Sequence, residues 1–282
     1  MSVFDLHCHS NCSDGVLSPE QLVERAANAG VTHLALTDHD SIAGLTRAQA
    51  HAASVGIDCI SGIEFSCVWA RRGIHVVGLH FDASNPALLQ ATEYMGKQRQ
   101  ARAQEIARQL AKVGLHGTLA GAEALAGGAQ VGRPHFAQHL VDVGAVKNIA
   151  QAFKRYLGAG KIGDVKQQWP EIEVVVEWIN QAGGTAVVAH PLKYQLTRTK
   201  LLQLCQDFQA AGGRGIEVIS GADQKPQQTK DMVKICQKTQ LQGSVGSDFH
   251  APDVPWQALG SSGQLPAGVE PVWADWAVVV GD

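Results

Sequence analysis

The chain reads as an α/β protein: a distorted seven-stranded (β/α) barrel, TIM-like, with a small helical cap inserted into it. Three observations predict this. Seven short apolar runs, at 3–8, 33–38, 58–65, 74–81, 185–190, 215–220 and 243–248, have the length of buried strands. Helical patterns alternate with them, which is the rhythm of α/β architecture. Metal-type side chains then fall at the ends of those runs, where (β/α) barrels build their sites.

The first run ends in His7-Cys8-His9. Side chains two apart on a strand share a face, so both imidazoles can meet one ion while Cys8 points away. Ser18-Pro19-Glu20-Gln21 opens a helix, with Ser18 as N-cap, Pro19 at the first helical position and Gln21 completing a capping box; Gly30 ends it. Asp38-His39 closes the second run, and Asp40 with Ser41 reads as the start signal of a helix over 41–55. Glu64 closes the third run. His75 falls near the start of the fourth, an awkward place that a hairpin turned at Arg71-Arg72-Gly73 would repair.

Between 97 and 166 the rhythm stops. Ile106, Leu110 and Val113 form a helical stripe ending near Gly114, and short helices follow at about 119–126, 133–143 and 148–157. The expected organisation is therefore a barrel from 1–96 and 167–282 and an inserted cap from 97–166. Beyond it the pattern resumes with helices at 171–183, 199–212 and 223–240. His190 ends the fifth strand, and Asp248 and His250 follow the seventh.

Composition narrows the class. With 282 residues and 45% hydrophobic content, the chain can bury a large core. No apolar stretch reaches the ~20 residues of a membrane span. The N-terminus lacks a basic leader and carries site residues, so a cytoplasmic protein is expected, with no membrane and no protein partner implied. Six cysteines without CxxC spacing fit reduced thiols. The net charge of -3 hides an uneven distribution: 97–166 holds eleven Lys/Arg against four acids, and the rest is acidic. A basic cap beside a metal-collecting body suggests an anionic substrate between them.

Nine side chains are candidate ligands: His7, His9, Asp14, His39, Glu64, His75, His190, Asp248 and His250. Imidazole with carboxylate suits manganese, iron or zinc, and nine ligands exceed the needs of one or two ions, so three divalent ions are expected. Glu64 is the natural bridging carboxylate. Asp38 is read as orienting a ligand through a hydrogen bond, and Asp5 as satisfying backbone donors. His33, His51, His80, His116 and His139 match no metal motif. In the cap, Gly132-Arg133-Pro134-His135 sets a guanidinium and an imidazole at a helix start, a favourable place for phosphate. Arg155 and Lys161 offer a second cationic cluster. No serine elbow, Walker loop or dinucleotide fingerprint competes, which favours hydrolysis by metal-bound hydroxide.

The motifs Asp5-Leu6-His7-Cys8-His9-Ser10, Ser13-Asp14-Gly15, Leu36-Thr37-Asp38-His39-Asp40, Gly62-Ile63-Glu64, the His75 position, Ala189-His190-Pro191 and Gly246-Ser247-Asp248-Phe249-His250 together resemble the polymerase and histidinol phosphatase (PHP) family. The resemblance implies a seven-stranded barrel, a trinuclear centre on those nine positions and phosphoester hydrolysis. The cap, with Gly-Arg-Pro-His and Tyr156-Leu157-Gly158-Ala159-Gly160-Lys161, is similar to the nucleoside 3′,5′-bisphosphate phosphatase branch. That likeness implies a small anionic nucleotide substrate such as 3′-phosphoadenosine 5′-phosphate. Its 3′-phosphate would be removed while the cap holds the 5′-phosphate, with His190 or His135 protonating the departing oxygen. The alternatives are a 5′-3′ exoribonuclease acting on short RNA, a histidinol phosphatase, and a metal-stabilised nucleotide-binding protein without turnover.

Overall fold

A computed structural model describes residues 2–166 and 169–276. Strands β1 (Phe4–Cys8), β2 (His33–Leu36), β3 (Asp58–Trp69), β4 (Arg72–Leu79), β5 (Thr185–Val188), β6 (Gly215–Ser220) and β7 (Gln242–Gly246) form one seven-stranded sheet in chain order. A bridge from Cys8 to Phe249 brings the first and last strands together, so the sheet curls into a nearly closed barrel. All pairings are parallel except those of β4, which runs antiparallel to both β3 and β5. The predicted α/β seven-stranded barrel is the observed fold.

The β4 exception comes from a hairpin. Ala70 and Arg71 both take positive φ, 47° and 65°, the backbone that matches a tight turn to strand twist. The turn therefore sits one residue earlier than expected. Ser66 pairs with His75 and Glu64 with Val77, which carries His75 back to the level of Glu64.

The helices around the barrel are α1 (Pro19–Asn28), α2 (Leu45–Val55), α7 (Ile172–Gln181), α8 (Arg198–Ala210) and α9 (Pro226–Thr239). The Ser18–Gln21 capping box closes as expected. The start signal at Asp40-Ser41 does not act as one, because α2 begins only at Leu45. Asp40 is instead buried with φ 52°, and its carboxylate accepts from the Ser66 N–H and from Arg99.

Between β4 and β5 lie α3 (Pro86–Ala111), α4 (Thr118–Ala126), α5 (Arg133–Asp142) and α6 (Ile149–Ala152), the last running on into a π-helical turn at Phe153–Leu157. Asn85 caps α3 by accepting from the Ala87 N–H, so this helix starts well before the periodic stripe at 106–113. Its Leu88, Ala91 and Met95 join the barrel core. Its Ala103, Ile106 and Leu110 join a separate cluster with Phe136, Leu140 and Leu157. One continuous helix thus crosses residue 97 and ties the two hydrophobic clusters together. Gly121 allows α4 and α5 to touch, since a Cβ there would lie 2.0 Å from the His139 ring. Among the described residues no helix is long and apolar enough to cross a membrane.

Candidate metal centre

The strand ends deliver all nine predicted ligands to one rim. His7 and His9 leave β1 on the same side, their Nε2 atoms 3.1 Å apart, while the Cys8 thiol turns away to the Ala35 carbonyl. That position requires a close approach of β7: a Cβ on Gly246 would sit 2.4 Å from the His7 Cβ. Glu64 lies at the centre. One carboxylate oxygen is 3.3 Å from both His7 and His9 and 2.9 Å from His39. The other is 2.9 Å from His75 and from His190. Asp248 is 3.3 Å from His9 and 3.5 Å from His7, and Asp14 is 3.4 Å from His250 and 3.7 Å from His39.

Four overlapping sets gather donor atoms within 4.8 Å: His9, Asp14, His39 and His250; His7, Glu64 and His190; His7, His9 and Asp248; and His39, Glu64 and His75. These groups fit divalent cations. Glu64 Oε2 and Asp14 Oδ1 are buried without a hydrogen-bond partner, an expensive state for a carboxylate oxygen unless a cation meets it. Two ring nitrogens facing each other at 3.1 Å can share at most one proton, so an ion answers that pair better than a hydrogen bond does. His75 and His250 are the most exposed of the nine, and the cluster opens to solvent beside them.

The charges are strongly coupled. Burial opposes ionisation of Glu64, but His75, His7 and His39 hold its carboxyl well below the usual range. Burial likewise works against a charged His7, yet Glu217, Glu64 and Asp248 raise it well above an ordinary imidazole. Burial, reinforced by His250, drops His9 to about 3. A neutral imidazole between carboxylates is the form that donates a lone pair to a metal.

Sequence reasoning missed the residues that aim these ligands. Glu217 on β6 accepts from His7 Nδ1 at 2.5 Å and from the His190 N–H at 2.6 Å, fixing a ring orientation as carboxylates behind ligating histidines do. Its only sequence signal was a lone acid in the apolar run Ile216-Glu217-Val218-Ile219. The Tyr194 hydroxyl accepts from the His75 N–H, and Lys193 pairs with the Asp248 carboxylate. Asp5 takes the Ser247 and Gly260 N–H groups, as expected. Asp38 does not touch a ligand ring. It accepts from Ser10 N–H and from the Ser10 and Ser13 hydroxyls, pinning the loop that carries Asp14. His190 and Asp248 have φ of 28° and 54°, left-handed backbone that non-glycine residues adopt only when their surroundings impose it.

The cap borders this rim at Gly132, whose Cβ position is 4.0 Å from Asp14. His135 Nδ1 accepts from the Gly132 N–H, which leaves the ring proton on Nε2. Burial pushes the His135 imidazole down, favouring that neutral form. Arg133 donates to the Leu157 carbonyl and lies 3.8 Å from Asp164. Arg155 and Lys161 are exposed, Arg155 lying over the Tyr156 ring, and no described contact joins either to the rim. Two arginines that the sequence reading passed over stand closer. Arg99 is buried on Asp40 and Ser66, and Arg102 donates to the Val165 carbonyl; both guanidinium groups cover the Trp169 ring. Burial, with Arg133 and Arg99 alongside, lowers Arg102 to about 10.

A histidine cluster bridged by one carboxylate at the strand ends of an α/β barrel defines a metal-dependent hydrolase. Residues 5–183 match the PHP domain, and the chain belongs to that family of phosphoesterases. It is 47% identical over 270 residues to a 5′-3′ exoribonuclease of Haemophilus influenzae, covering 96% of this chain and 97% of the relative. It is 42% identical over 279 residues to a 3′,5′-nucleoside bisphosphate phosphatase of Chromobacterium violaceum, covering 98% and 96%. Among solved structures, an amidohydrolase of Chromobacterium violaceum with bound sulfate superposes with a TM-score of 0.90 at 41% identity, covering 96% of this chain and 95% of that one.

Proposed function

We propose that the protein is a phosphatase that removes the 3′-phosphate of nucleoside 3′,5′-bisphosphates, such as 3′-phosphoadenosine 5′-phosphate. The observation that carries this reading is the adjacency of two cationic regions of different chemistry. The rim is suited to metal ions, and beside it Arg99, Arg102 and Arg133 influence one another electrostatically, with Asp40 and Asp164 as their paired acids. A substrate with two separated phosphates uses both. Histidinol phosphate, with one, leaves the arginines idle.

His7, His9, Asp14, His39, Glu64, His75, His190, Asp248 and His250 would hold three divalent ions, with manganese favoured by the mixed imidazole and carboxylate set. Such ions neutralise phosphoryl charge and make water a nucleophile at neutral pH. The chain's own residues do the rest. Glu64 spans the cluster with both oxygens, and Glu217 locks the His7 ring. The arginines bind the 5′-phosphate and so set the nucleotide's register. His135 offers its Nε2–H as a hydrogen bond to O3′ as the P–O3′ bond breaks; His190, drawn into the Glu64 group, serves as a ligand. The attacking water supplies its oxygen to phosphorus and a proton to O3′, and the products are the 5′-monophosphate and orthophosphate.

A second reading uses the same bond. In a 5′-phosphorylated RNA, cleavage of the first P–O3′ bond releases a 5′-mononucleotide and leaves a 5′-phosphate on the shortened chain. The 47%-identical exoribonuclease relative supports it. A screen of nucleoside bisphosphates and short 5′-phosphorylated RNAs with the manganese-loaded protein tests both. Phosphate release from the bisphosphate is the expected result. Tight nucleotide binding with no product from either substrate would show a binding protein instead.

A further inference from the structure

Trp256 is the largest exposed apolar side chain among the described residues, 53% accessible, in the short 3-10 turn Pro255–Gln257 beyond β7. Its backbone is held: the Trp256 carbonyl accepts from the Ala222 N–H at 2.7 Å. The next residue, Gln257, donates to the Asp248 carboxylate at 3.3 Å, so the indole stands one residue from a contact with a proposed metal ligand. Val16, also exposed, donates its N–H to the carbonyl of His250, another of the proposed ligands.

Direction matters here. Arg99 is anchored to Asp40 and to Ser66 of β3, whereas Trp256 hangs from the β7 end of the sheet. In the order β3, β2, β1, β7 around the closed barrel these lie three strands apart, the widest separation a ring of seven allows. A nucleotide whose 5′-phosphate lies on Arg99 and whose P–O3′ bond lies at the metal rim sends any further nucleotide onward, away from the β3 side. That path leads toward β7. An indole with an exposed face is the side chain on which a base stacks without regard to sequence.

We propose that Trp256 is a stacking platform for the nucleobase immediately 3′ of the scissile phosphate, so that the site accepts short RNA as well as a mononucleotide. The inference rests on the register proposed above and names the residue that extends it. Trp256 selects between substrates; the chemistry at P–O3′ is the same for both.

The test compares Trp256→Ala and Trp256→Phe in the full, manganese-loaded chain. With a 5′-phosphorylated trinucleotide, Trp256→Ala raises KM about tenfold, the scale of one base–aromatic stack. Trp256→Phe keeps most of the affinity, and the trinucleotide-to-bisphosphate ratio of kcat/KM falls only in the alanine variant. An equal loss on both substrates overturns the proposal. A second readout needs no turnover. A cleavage-resistant phosphorothioate trinucleotide should quench wild-type tryptophan emission more than that of Trp256→Phe. Equal quenching overturns the platform even if hydrolysis is found, and a difference supports it even if the hydrolytic reading fails.

Discussion

In the barrel rim, nine side chains converge from six strands and the loops beside them, and hydrogen-bonded neighbours hold each strand in register. In the cap, the arginines come from α3 and the start of α5, on helices that bury their own cluster around Phe136 and Leu140. The rim is dense in unmet lone pairs and the cap in guanidinium groups whose charges press on one another. On the proposed function the two regions would divide the work: the rim would act on one phosphorus, and the cap would select which molecules bring a phosphorus there.

Breaking the rim should give the largest effect. Asp248→Asn or His9→Ala is expected to lose metal and turnover together. The loss should exceed the roughly 10- to 100-fold typical of residues that only orient a ligand. Elemental analysis alongside phosphate release checks this; full metal content with no activity would mean the cluster is not organised for hydrolysis. Glu217→Gln should fall within that 10- to 100-fold range for metal affinity, read by titration of the metal-free protein, because it loosens His7 without removing a donor. An unchanged affinity would reduce Glu217 to a core packing role.

Damage to the cap should look different. Arg102→Ala and Arg133→Ala should raise KM for a nucleoside 3′,5′-bisphosphate by about 10- to 100-fold, the worth of a hydrogen bond to a charged group, with kcat changing less. A 3′-monophosphate lacking the 5′-phosphate should scarcely notice; equal damage to both substrates would dissolve the division between rim and cap. Phe136→Ala should cost the cap cluster about 3–5 kcal/mol. Hydrogen exchange should then accelerate across α4 and α5 while metal binding persists, unless α3 transmits the loss into the barrel. Smallest of all, Arg155→Ala and Lys161→Ala should alter KM by less than about twofold, as for exposed charges. A larger rise in KM would show that these two side chains reach the substrate from the surface.

The same contrast explains what could be read in advance. Helical boundaries with side-chain caps, such as Ser18–Gln21, announce themselves locally, and so do ligands, because a metal accepts few residue types. Asp40 shows the opposite: an Asp-Ser pair reads as a helix start, yet burial against Ser66 and Arg99 overrules the local preference. Arg99 and Arg102 passed unnoticed for a related reason. Arginine on a helix is usually solvated, and nothing nearby in sequence reveals that Trp169 will cover these two.

From its amino-acid order alone, this chain announced the seven strands, the helical stretch between the fourth and fifth, and nine side chains that gather at one rim, since two-residue strand periodicity and the narrow chemistry of metal ligation both act over short distances. Only the folded molecule decided that β7 closes onto β1 through Gly246, that Glu217 stands behind His7, and which basic residues border the rim. Those outcomes depend on contacts between segments far apart in the chain, where packing and burial outweigh what each residue prefers by itself.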